Sequence, residues 1–128
     1  MAEMSNYLEN ALINATLRNT SYTSPATVYL ALYTDNPTDA DTGTEVTGNG
    51  YERQSITFGA PSNGVSTNTA AIEFPQATGS WGTVSYVGIR DASTSGNLLY
   101  HTALDASKAI ATGDVFRVAI GSLSVTFA

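Results

Sequence analysis

The chain contains no cysteine, which excludes disulfide staples and thiolate metal sites. It has a single histidine, His101, and no Gly-x-Ser-x-Gly nucleophile elbow. A lone histidine among many serines is no catalytic constellation, because a nucleophile needs a base held beside it. Charge is scarce as well, at 12% of the residues, about half the usual quarter of a globular chain. The basic residues Arg18, Arg53, Arg90, Lys108 and Arg117 are scattered, and the net charge is −6. Nucleic-acid affinity comes largely from Lys and Arg on phosphates, so no nucleic-acid partner is expected. No apolar run approaches the ~18 residues of a membrane span. Met1-Ala-Glu-Met leads into an amphipathic pattern, so neither a signal peptide nor a membrane partner is expected, and synthesis is placed in a cytoplasm.

Serine, threonine, glycine and asparagine fill the space that charge leaves. A length of 128 residues suits one domain, 1–128, able to bury a core without staples. Neutral outer faces suit a β protein or a subunit packed against neighbours, since charge is depleted at the centres of interfaces.

Ser5 is an N-cap candidate, with Glu9 placed favourably for the helix dipole. Leu8, Ala11, Leu12 and Ala15 then fall on one helical face, predicting a helix over about 5–18. Ile13 and Leu17 lie nearly opposite, available to a neighbouring subunit. Beyond Pro25 the period becomes two. Val28, Leu30 and Leu32 alternate with Tyr29, Ala31 and Tyr33, so this strand is expected to be central and covered on both sides. Asn49-Gly50, Asn63-Gly64 and Gly113-Asp114 are turn signals. Tyr51 to Phe58, Val65 to Phe74, Val115 to Ile120 and Leu123 to Phe127 read as further strands.

Trp81 to His101 reads as strand, polar turn, strand. Its parity groups Trp81 with Val87 and Ile89, and Val84 with Tyr86. Gly82 and Gly88 signal a bulge or close backbone approach. Arg90 and Asp91 are assigned to ordering the turn. The fold class is therefore mainly β: an antiparallel β-sandwich of roughly seven strands, spanning about 27 to 127, with one N-terminal α-helix.

Asp39, Asp41 and Glu45 loosely follow calcium-loop spacing, but Gly43 and Gly50 stand where oxygen ligands belong. The loop 35–45 is accordingly expected to be solvated, its aspartates capping turns, and no metal or cofactor is assigned. Trp81, Tyr86 and Tyr100 could supply a stacking face for a glycan, although a Trp81 that caps the sandwich core is the favoured reading. Tyr29, Tyr33, Ile13 and Leu17 are the candidate interface residues.

The segments Tyr7 to Asn19 and Val28 to Thr34 carry a resemblance that continues through Tyr51-Glu-Arg-Gln54, Gly59 to Gly64, Trp81-Gly-Thr-Val84, Gly88 to Ala92, Gly96 to Tyr100 and the ending from Gly113 to Phe127. From Ser5 onward the chain resembles small structural proteins of tailed bacteriophages, often labelled tail-fibre proteins and similar in style to capsid cement proteins. The resemblance implies a non-enzymatic virion protein. An external capsid cement or decoration protein bridging capsid subunits is the expected role. Its partners would be the major capsid protein or tail proteins, with self-association into a homo-oligomer. An outer position follows from the acidic charge, which packaged DNA would repel. The alternatives are a tail or tail-fibre component and a glycan-binding receptor module.

Overall fold

A computed structural model describes residues 2–127. A short strand, β1 (Glu3–Met4), precedes the helix α1 (Asn6–Leu17). Ser5 caps the helix, its Oγ accepting from the Leu8 N–H at 3.2 Å. The same hydroxyl donates to the Leu98 carbonyl, and the Ser5 N–H donates to Leu99, so the cap also fastens the helix to the sheet. Asn19 takes a left-handed φ of 52°, and the chain leaves the helix there. Only Leu8 of α1 is buried.

The strands that follow are β2 (Val28–Tyr33), β3 (Gln54–Ile56), β4 (Val65–Thr67), β5 (Ile72–Glu73), β6 (Gly82–Arg90), β7 (Leu98–Ile110), β8 (Arg117–Val118) and β9 (Ser124–Thr126). Four of them join β1 in one antiparallel sheet in the order β1-β7-β6-β2-β3. The pairs β4-β9 and β5-β8 form two small antiparallel ladders. Leu30, Leu32, Val84, Val87 and Ile89 of the large sheet meet Ile72, Phe74, Phe116 and Val125 from the ladder side in the main core. The architecture is the expected mainly β one, with strands facing each other across an apolar layer and one N-terminal helix.

β2 is covered on both faces, as its alternation requires. Leu30 and Leu32 enter the main core, while Ala31 and Tyr33 join Leu98 on the other side. Gly88 pairs with Ala31 and lies under the Tyr33 ring. A Cβ there would come within 2.8 Å of both Tyr33 and Leu98, so glycine is required by close approach.

Some strand readings change. Val84 pairs with Lys108 but Tyr86 with Ala103, so β7 carries extra residues opposite Ser85. This bulge reverses the side-chain alternation, and Val84 shares the core face with Val87 and Ile89 instead of lying with Tyr86. The stretch from Val65 to Phe74 breaks into β4 and β5, with Ala70 exposed. The break is made by Asn68. Its Nδ2 donates to the Ala70 and Ala119 carbonyls, each at 3.0 Å, and its Oδ1 accepts from the Leu123 N–H at 2.9 Å. A buried amide with partners on three separate residues joins the two ladders. Between Phe116 and Phe127 the regular pairing shrinks to β8 and β9, with Gly121 at a positive φ of 76° forming a bend.

Candidate functional site

The turn of the β6–β7 hairpin is where the chemistry-bearing residues gather. Asp91 orders it from within, accepting from the Asn97 N–H at 2.7 Å and from Asn97 Nδ2 at 3.0 Å. Two arginines then bind its carbonyls from below. Arg90 donates to Gly96 O at 2.9 Å and Arg53 donates to Ala92 O and Ser95 O at 2.9 and 2.8 Å. Each arginine is in turn gripped by one carboxylate of the acidic loop. Arg90 makes a forked pair with Asp41, and Arg53 a forked pair with Glu45. The fork geometry explains why arginine and not lysine serves here.

The surrounding groups complete the network. Arg90 Nη1 donates to the Tyr33 hydroxyl at 2.9 Å. The Tyr51 hydroxyl donates to Glu45 at 2.7 Å and accepts from the Leu32 N–H at 3.0 Å. Burial pushes the Glu45 carboxyl up, but hydrogen bonds from Arg53 and Tyr51 outweigh it and hold its pKa below the usual glutamate value. Burial and the Glu45 hydrogen bond raise the Tyr51 phenol, so it stays a donor. Burial likewise raises Tyr33, against the opposing Arg90 hydrogen bond. Thus Asp41 and Glu45 are paired with cations, and the loop 35–45 is folded over the back of the sheet instead of being solvated throughout. Pro37 of that loop is fully buried. The arrangement is a structural clamp with no free nucleophile or base.

A second group lies on the opposite flank of this loop. Asp39 Oδ1 stands 2.8 Å from His101 Nε2, and Glu3 Oε2 stands 3.8 Å from it. A third feature is an apolar groove of about 390 Å³ between the sheet and the β4-β9 ladder, lined by Val28, Phe58, Tyr100, Val125 and Phe127.

The family model for "Podophage GP4 fiber I protein gp80" matches residues 3–126. The chain belongs to this family. It is a phage structural family, in agreement with the resemblance carried by the sequence. No curated protein matches the chain. Among the described residues no helix is long and apolar enough to cross a membrane.

On this fibre-family fold the residues expected to mark sites are dispersed. Ile13 and Leu17 lie on the outer face of α1, 52% and 78% exposed. Tyr29 is half-buried in β2. Tyr33 is 1% exposed beneath Arg90, so it offers no surface to a neighbour. The stacking face does not form, and Trp81 takes the core position instead. Trp81 is 4% exposed, stands edge-on to Tyr51 and Phe74 in the core, and donates its indole N–H to Asn49 O. Tyr86 packs with Tyr33 and Leu98 on one face of the sheet, and Tyr100 packs on the main core at the other. Three aromatics so placed make no common platform. Sequence reading passes over Arg53 and Asn68, and it places Arg90 at the turn without its partner Asp41. Their only signal is chemical: few cations and several acids invite pairing, without saying which pairs form.

Proposed function

We propose that this chain is a non-enzymatic subunit of a podophage tail fibre, placed on the outside of the particle and held there by other virion proteins and by copies of itself. The observation that carries this reading is the outer face of α1 on a chain of the fibre family. Leu8 alone of this 12-residue helix is buried, while Ile13 and Leu17 face outward. A helix of such length is marginal without packing, so a neighbour that covers this face also stabilises the helix. Full burial of Ile13 and Leu17 would contribute about 1.5–3 kcal/mol each. Binding only in the assembled state strengthens that state. The net charge of −6 favours a position away from packaged DNA.

The fibre family favours the tail-fibre role over the capsid cement role expected from the sequence. The glycan-module reading loses its aromatic platform with the burial of Trp81. Copy number separates fibre from cement. A fibre subunit is a minor band in purified particles, whereas a cement protein approaches the major capsid protein in abundance. The interface is tested with Ile13→Asp and Leu17→Asp. Both variants should fold with an unchanged circular dichroism spectrum and be absent from purified particles. Unfolding of the isolated variants would assign these residues to the subunit's own core and defeat the reading.

A further inference from the structure

We propose that Glu3, Asp39 and His101 form a binding site for one divalent transition-metal ion, with Zn²⁺ the best chemical match, which ties the N-terminal strand and the acidic loop to β7. The inference is independent of the fibre reading. Glu3 and His101 are direct cross-strand partners in the β1–β7 ladder, which places their side chains on one face. Asp39 approaches from the loop, and its backbone carbonyl accepts from the Asn6 N–H at 2.8 Å, at the start of α1. Three separate segments thus deliver one ligand atom each, all within 4.8 Å of one another.

The buried imidazole is what distinguishes this group from an ordinary acidic patch. His101 is 3% exposed, and its Nε2 faces both carboxylates, at 2.8 Å and 3.8 Å. Zinc bound at about 2.0–2.2 Å to nitrogen and oxygen holds tetrahedral ligand atoms about 3.3–3.5 Å apart. The separations to Nε2 bracket that spacing, and Glu3, largely exposed, is free to close the remainder by rotation. One imidazole nitrogen with two carboxylate oxygens suits a borderline ion. Calcium and magnesium prefer oxygen throughout. The adjoining polar cavity of about 410 Å³, lined also by Asn36, Tyr86 and Asp105, leaves a fourth position for water.

Calorimetric titration of ZnCl₂ into the tag-free, EDTA-stripped full chain should show one ion per chain. Saturating zinc should raise the melting temperature by about 5 °C, and equal MgCl₂ should leave it unchanged. Asp39→Asn and His101→Gln should each weaken zinc at least tenfold, and Co²⁺ should give a tetrahedral visible spectrum lost in His101→Gln. If His101→Gln does not fold, Asp39→Asn and Glu3→Gln decide the matter, since both residues are exposed. Stoichiometry well below one, or undiminished zinc affinity in Asp39→Asn and Glu3→Gln, overturns the proposal.

Discussion

Arg90 holds Asp41 with both prongs of its guanidinium, Nη1 to Oδ1 at 2.8 Å and Nη2 to Oδ2 at 2.9 Å. The pair joins β6 to a loop 49 positions earlier. Arg90 is itself buried and also serves the Tyr33 hydroxyl and the Gly96 carbonyl. One side chain therefore couples the second core face, the acidic loop and the hairpin turn.

Arg90→Ala should cost about 2–3 kcal/mol in urea unfolding, because it leaves the buried Tyr33 hydroxyl and the Gly96 carbonyl of the turn without their donor. Arg90→Lys should recover less than half of that loss, since an ammonium keeps the charge but not the fork. Equal stability of the lysine variant and wild type would show that charge alone suffices.

Glu45 predicts a pH dependence. Its folded pKa lies below the ordinary value of 4.5, because Arg53 and Tyr51 stabilise the carboxylate more than burial penalises it. A carboxylate held below its unfolded value adds stability that is fully present above the unfolded pKa. That stability is lost as pH falls through the folded value. Glu45→Gln should be less stable than wild type at pH 7, and the gap should narrow below about pH 4.5. A gap that stays constant down to pH 3 would remove Glu45 as its source.

Asn68 should be among the least replaceable residues of the ladder side. Asn68→Ala removes three hydrogen bonds and leaves the Ala70 and Ala119 carbonyls and the Leu123 N–H without them. The expected cost is roughly 2–4 kcal/mol, read as a lower midpoint in chemical denaturation at unchanged slope. Asn68→Asp should be as damaging, because a carboxylate cannot donate to either carbonyl.

Ser5 carries two roles that one substitution can expose. Ser5→Ala removes the cap of α1 and the donor to the Leu98 carbonyl, so about 1–2 kcal/mol should be lost. Hydrogen exchange should locate the effect, with faster exchange in the first turn of α1 and little change in β2. Uniform acceleration throughout would contradict a local fastening.

Much of the architecture is legible in order along the chain. The α1 start at Ser5, its exit at Asn19, the two-faced β2 and the Trp81 to His101 hairpin all follow from neighbouring residues. The turn at Asn63-Gly64 does so too. Its residues have φ of 51° and 77°, and Ser62 and Val65 exchange backbone hydrogen bonds at 3.0 Å. The two-residue β1 passes unseen because it is too short to show a period. The break at Asn68 and the bulge opposite Ser85 are equally silent, since each depends on partners far along the chain.

For the Trp81 to His101 hairpin and the loop 35–45, sequence alone determined that a strand pair with an ordered turn would form, and that acids would outnumber cations. Alternation, turn chemistry and composition are local properties, and they survive without tertiary contacts. Only the tertiary structure decided that Asp41 goes to Arg90 and Glu45 to Arg53, and that Asp39 meets His101. Those outcomes rest on which strand lies beside which, and on the close packing that brings particular side chains within reach of one another.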